Sequence, residues 1–358
     1  MHQFTFITSK EQLEKACDIW NKETILAFDL ECENNLHHFG VYLALIQVST
    51  KDNNWIIDML AFKEFQPLIT IFESANIQKI FHDVSFDLRI LSTQLDCKPV
   101  SILDTQLAAL LLGKEKVGLG NLLESYFNVQ KEKKFQRVDW TKRPMSEEML
   151  MYAVKDTAYL LELTDKLILE LKEKGRLEWW KQECHHLEEL DWPLKEQDYI
   201  DLKGAKALQP RERAILKALF YKRAELAEQV DKPVFKVFRN VQLMKFATHP
   251  PYSVGAWKSL RGVHPLVKKH ADQWHAVVQQ ARRGPLDIYE RGKHSKLSMN
   301  QKEKITALTD ARNSLAEKLG IKGHLIMNND QIRSVIVDKN FNSLREWQKE
   351  LVKKHHLL

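Results

Sequence analysis

Four acids in this sequence, Asp29, Glu31, Asp87 and Asp156, could together hold a divalent cation, and Tyr152 stands four residues before the last of them. The run Thr24-Ile25-Leu26-Ala27-Phe28-Asp29-Leu30-Glu31 begins apolar and β-prone and turns acidic, which reads as a buried strand ending in carboxylates. Strand side chains alternate faces, so Asp29 and Glu31 point the same way. Two like charges held close repel, and burying them is costly unless a cation neutralises them. From Gln78 to Leu91 a short strand runs into a helix, with Asp87 in or near its first turn. Ser146-Glu147-Glu148 supplies a capping hydroxyl and first-turn acids for another helix. Its buried stripe is Leu150, Ala153, Val154, Ala158 and Leu161, and Tyr152 and Asp156 stack on one face. Each feature alone has an ordinary explanation: a solvated strand end, an acid favoured by a helix dipole, a tyrosine flanking a core. Their conjunction points to an oxygen-rich site of the kind hard cations prefer.

The elements that must position these residues fall in two halves. Up to about residue 175, strands are read at 24–28, 41–48 and 55–58, and helices at 11–21, 84–94 and 147–174, an α/β pattern. Residues 192–200, with Pro193, break helical patterning and read as a linker. Beyond it, helices are expected at 212–229, 241–247 and 274–283, separated by turns at Pro233, Pro250-Pro251 and Gly262. A weaker copy of this unit follows from about residue 300. Residues 308–316 parallel its first helix and 321–328 its turn, a repeat spaced by about 90 residues. The polar spacer 284–296 is expected to be exposed.

Charge divides in the same place. Residues 1–200 hold 23 Lys+Arg against 33 Asp+Glu and residues 201–358 hold 31 against 15, so balances of −10 and +16 make up the net +6. An acidic half that binds cations repels a polyanion, and a basic second half is what a nucleic-acid substrate requires. Lys131, Lys133, Lys134, Arg137, Arg211, Arg213, Lys217, Lys222 and Arg223 are basic candidates, none assigned individually. No apolar stretch approaches the ~20 residues of a membrane span, and the first residues lack a signal-peptide pattern. Cys17, Cys32, Cys97 and Cys184 are scattered and read as free thiols in a reducing compartment. The doublets His37-His38, His185-His186 and His355-His356 lack partners at ligand spacing and read as surface or packing residues.

The acidic motifs resemble those of the ribonuclease D branch of the DEDD 3′→5′ exonuclease superfamily. The first motif matches at Asp29-Leu30-Glu31, the second from His82 to Asp87, and the third at Tyr152-Ala153-x-x-Asp156, with further matches at Leu103-Asp104-Thr105-Gln106 and Asp139-Trp140-Thr141-Lys142-Arg143-Pro144. Histidine-type relatives place His five residues before the last Asp; Met151 stands there, which indicates the tyrosine subclass. The second half resembles HRDC domains at Leu219 to Glu225, Lys232-Pro233-Val234-Phe235 and Pro250-Pro251-Tyr252, departing at Lys222, where that family commonly has Trp.

The resemblance implies a ribonuclease H-like α/β exonuclease domain with a mixed sheet (1–200), an HRDC domain (208–288) and a second HRDC-like all-α domain (298–358). It implies two divalent cations, Mg2+ or Mn2+, with Asp29 bridging both, Glu31 and Asp156 completing the first site and Asp87 helping at the second. Tyr152 would orient the attacking water, and His82 is a substrate-binding candidate. The expected activity is a cytoplasmic 3′→5′ exoribonuclease that releases nucleoside 5′-monophosphates, with RNA and above all tRNA precursors as partners. Neither a membrane nor an obligate protein partner is expected. A DNA exonuclease for repair or proofreading would use the same carboxylates, and a non-catalytic nucleic-acid-binding scaffold is the alternative of another class.

Overall fold

The computed structural model describes residues 3–130, 134–195, 197–290 and 297–357. Lys131, Lys133 and residues 291–296 of the expected spacer lie outside the described residues. Six strands form one mixed sheet in the order β1-β4-β3-β2-β5-β6. They are β1 (Thr5–Ile7), β2 (Ile25–Asn34), β3 (Val41–Ser49), β4 (Asn54–Asp58), β5 (Gln78–Phe81) and β6 (Ile102–Asp104). β2, β3 and β4 are antiparallel neighbours, while β5 runs parallel to both β2 and β6.

Both faces of the sheet are covered, which explains why β3 is buried along almost its whole length. On one face Phe28, Ile46, Val48 and Ile57 pack against α1 (Lys10–Trp20), α2 (Gln66–Glu73) and α3 (Ser85–Leu95). On the other, Ala27 and Ile80 meet α4 (Thr105–Leu111), α5 (Leu119–Phe127), α7 (Leu160–Glu173) and α8 (Leu177–Glu189), and Ala44, Leu45 and Ile56 meet Trp140 and α6 (Glu147–Val154).

The helix expected across 147–174 is two helices, with Asp156 in the break between α6 and α7. Tyr152 and Asp156 therefore do not stack on one helix face. The chain tightens into i→i+3 bonds, from Lys155, Asp156 and Thr157 N–H to the carbonyls of Tyr152, Ala153 and Val154. The buried Thr157 hydroxyl meets that of Ser49 on β3 at 2.7 Å. Docking onto the sheet overrides the local helical pattern, a tertiary contact that spacing cannot reveal.

Beyond the sheet the chain is helical. α9 (Pro210–Gln229), α10 (Val234–Val237), α11 (Asn240–Thr248), α12 (Val254–Lys258), α13 (Pro265–Lys269) and α14 (Ala271–Arg283) surround a core centred on Trp257 and Trp274. α15 (Met299–Leu319), α16 (Gly323–Ile326), α17 (Asn329–Arg333) and α18 (Glu346–Lys354) follow. Two of the basic candidates are internal here. Arg213 and Arg223 are 4% and 1% exposed. Arg213 donates to the Leu208 carbonyl and Arg223 to that of Phe238, so they are structural donors rather than a surface for a polyanion.

Candidate active site

β2 lies in the interior of the sheet, and Asp29 and Glu31 project from the face that α6 and the break after it cover. Their register partners on β3 are Gln47 and Leu45, which share that face. The pairing shifts between Glu31 and Cys32, a bulge beside the acids. Asp156, 3% exposed, enters from the break that Thr157 pins to Ser49. Carboxylate oxygens of Asp29, Glu31 and Asp156 all lie within 4.8 Å of one another. Three like charges this close favour a bound cation, and the all-oxygen donor set suits a hard one.

Asp87 stands in the first turn of α3, just past the end of β5, the parallel neighbour of β2. It is outside that group of three but adjacent in electrostatic terms. Its carboxyl is pushed well above the ordinary carboxylate range by burial, then by the charges of Asp29, Asp104 and Asp83. Asp104 holds the turn that aims it. One buried carboxylate accepts the N–H groups of Asp83 (3.1 Å), Val84 (3.0 Å), Gln106 (2.7 Å) and Leu107 (3.2 Å), tying the start of α3 to the start of α4. Asp83 takes φ +64°, which lets the chain turn there. His82 is half-buried, with Nδ1 2.9 Å from the Thr105 hydroxyl.

Tyr152 is buried with its ring against Phe135 and Trp140, at centroid distances of 5.4 and 6.3 Å. Trp140 is itself fixed by Arg143. That guanidinium grips Asp58 at the end of β4 through Nε and Nη2, both at 2.6 Å, and donates to the Trp140 carbonyl at 2.7 Å. Such a bidentate pair is rigid, so the phenol is held from behind. A motif seen in the sequence only as a match thus has a mechanical role. The Asp58 partner gave no sequence signal beyond ending a strand.

Glu33, His37 and Asp139 also bring three ligand atoms within 4.8 Å. Glu33, however, is occupied by the chain. It accepts the N–H groups of Leu36 and His37, each at 2.6 Å, and faces His37 Nδ1 at 2.8 Å. This carboxylate shapes a loop. Cys32 beside the acids is held above the ordinary thiol range, first by burial and then by Asp87, Glu31 and Asp29, which disfavours a thiolate ligand.

Residues 4–172 match the 3′-5′ exonuclease family and residues 212–278 the HRDC domain. Ribonuclease D of Cronobacter turicensis is 30% identical over 278 residues, covering 77% of this chain and 75% of that protein. This chain belongs to the ribonuclease D family. Its enzymatic class is accordingly that of a 3′-5′ exoribonuclease, and the exonuclease family implies divalent metal ions. The crystal structure of Escherichia coli RNase D, described as an exoribonuclease involved in structured RNA processing, superposes with a TM-score of 0.75 at 27% identity over 99% of this chain and 98% of that one. Human exosome complex component 10 is 31% identical over 295 residues, but this chain spans only 33% of its length. Among the described residues no helix is long and apolar enough to cross a membrane.

Proposed function

We propose that this ribonuclease D family chain trims structured RNAs, tRNA precursors above all, one nucleotide at a time from the 3′ end in the cytoplasm, releasing nucleoside 5′-monophosphates. The convergence of Asp29, Glu31 and Asp156 within 4.8 Å carries the reading. Those three would hold one divalent cation, and Asp29 with Asp87 a second, either Mg2+ or Mn2+. When bound, such a pair activates water and offsets charge on the phosphoryl and leaving oxygens. The chain's own residues supply the geometry. Asp104 fixes the start of α3 that carries Asp87, Arg143 fixes Trp140 against Tyr152, and the Tyr152 hydroxyl orients the attacking water. A neutral phenol is a poor base, so the role of Tyr152 is a hydrogen bond. His82 contacts the substrate.

In this reading residues 1–200 are the exonuclease domain, 208–288 the HRDC domain and 298–358 a second HRDC-like helical domain. The helical units hold the RNA body so that only a single-stranded 3′ tail reaches the acids. Their excess of Lys and Arg supports this.

Matched 3′- and 5′-labelled RNA and DNA strands, incubated with Mn2+ or Mg2+, test the proposal. Stepwise shortening of RNA from its 3′ end is expected. Asp29→Asn should slow it by about 10³-fold or more, the several kcal/mol that cation stabilisation contributes. Tyr152→Phe should slow it by about 10²-fold, the order expected for a misplaced reactant, and leave Mn2+ binding intact. Undiminished hydrolysis by Asp29→Asn would refute the site, and equal cleavage of DNA would move the reading to DNA repair.

A further inference from the structure

A polar side chain, Gln47, is buried in the middle of the sheet. Gln47 is 0% exposed, yet among the described residues neither its Oε1 nor its Nε2 has a hydrogen-bond partner. An unsatisfied buried amide is destabilising, and such groups call for a specific reason such as a role at a site or a bound water or ion.

Its position supplies that reason. Gln47 is the register partner of Asp29 across the antiparallel β2–β3 ladder, so the two side chains stand on the same face, with Cβ atoms about 4.5–5.5 Å apart in such pairs. Two residues along β3 on that face, the Ser49 hydroxyl touches Thr157, the residue after Asp156. Two residues the other way, Leu45 packs in the same cluster as Tyr152 and Ala153. The carboxamide is therefore framed by the residues that bring Asp29, Asp156 and Tyr152 together.

We propose that Gln47 is a positioning residue for the exonuclease reaction, whose amide N–H donates to a carboxylate oxygen of the cation-loaded acid cluster and whose carbonyl accepts from water there. The proposal rests on the carboxylate site described above. A buried amide without partners costs stability rather than supporting the fold. With a cation held by Asp29, Glu31 and Asp156, the Gln47 amide N–H would hold one of those carboxylates in place. A residue that supports a ligand in this way typically changes metal affinity by about 10–100-fold when replaced.

The test uses the full chain with Gln47→Met, which keeps the shape and removes the amide, alongside Asp29→Asn. Melting is followed without divalent cation, Mn2+ binding is read by electron paramagnetic resonance of the free ion, and hydrolysis is measured across Mn2+ concentrations. Gln47→Met is expected to melt at or above the wild-type temperature, to bind Mn2+ about 10–100-fold more weakly, and to regain part of its lost turnover as Mn2+ is raised. Wild-type Mn2+ affinity in a folded Gln47→Met would overturn the proposal. So would a variant that fails to fold or melts well below wild type, because the amide would then serve the fold. Asp29→Asn should lose Mn2+ binding. If it binds like wild type, the acid cluster itself is misread, an outcome distinct from failure at Gln47.

Discussion

In the first helical unit Arg223 donates to the Phe238 carbonyl at 3.0 Å and to Asn240 Oδ1 at 2.8 Å, partners 15 and 17 residues ahead. In the second, Arg312 reaches the Met327 carbonyl at 2.8 Å and Asn329 Oδ1 at 3.5 Å, again 15 and 17 residues ahead. Each then starts its next helix in the same way, with Gln242 capping Arg239 N–H and Gln331 capping Asn328 N–H. One internal design thus occurs twice.

Attachment to the sheet domain separates the two. The first unit is clasped by a loop from β2. His38 bridges Asp139 of the sheet domain at 3.1 Å and Asp231 of the helical unit at 2.6 Å, and Phe39 N–H donates to Asp231 at 3.1 Å. Asp231 is 54% exposed, so water competes for this contact. The second unit attaches through buried aromatic surface. Trp347, 1% exposed, stacks on Trp179 of α8 at 4.7 Å and donates to Glu183 at 2.8 Å. The backbones also meet nearby, where a Cβ on Gly113 would lie 1.9 Å from the Gly320 carbonyl oxygen. A shared internal design is therefore attached to the sheet domain by two contacts of different chemistry.

The largest expected effect breaks the buried attachment. Trp347→Ala should cost about 3–5 kcal/mol and raise hydrogen exchange in α8 and α18 while sparing α9 to α14. Unchanged exchange in α8 would end the contrast. Next come the shared arginines. Arg223→Met and Arg312→Met should each cost about 1.5–3 kcal/mol in urea unfolding. Arg223 should cost more, because it is 1% exposed against 7% and its asparagine contact is shorter. The reverse order would mean that the second unit depends on its arginine more than the first.

The smallest effect sharpens the exposed attachment. His38→Ala should cost about 1 kcal/mol or less, with a dependence on pH. His38 is raised above its ordinary 6.5, chiefly by the Asp231 hydrogen bond and further by Asp139 against the effect of burial. Its contribution is complete below 6.5 and is lost as pH rises through the raised value. Asp231 is lowered by the same bond, so its share is present above 3.8 and is lost as pH falls through the lowered value. The difference between wild type and His38→Ala should therefore be larger at pH 6 than at pH 9. A flat difference would remove the ion pair from the clasp.

Much of the site was legible because its residues announce themselves locally. Asp29 and Glu31 share a face by strand alternation, and Asp87 sits in the first turn of its helix as the strand-to-helix pattern implies. The helix break at Asp156 was not legible, since it depends on a hydroxyl contact to Ser49, 108 residues away in the chain. Arg213 and Arg223 looked like surface charge because a basic residue on a helix carries no mark of burial. Gln47, a lone amide within the apolar run of β3, was the available signal that went unused.

Residue types and local periodicity determined the acid inventory, the α/β half, the helical half and its repeat, because strands and helices write their periods into a few neighbouring residues. Only the tertiary structure decided which acids converge, that a buried amide stands opposite Asp29, and that one helical unit docks through Trp347 on Trp179 and the other through the His38-Phe39 loop. Those outcomes rest on contacts between residues far apart in the chain, and no local spacing encodes them.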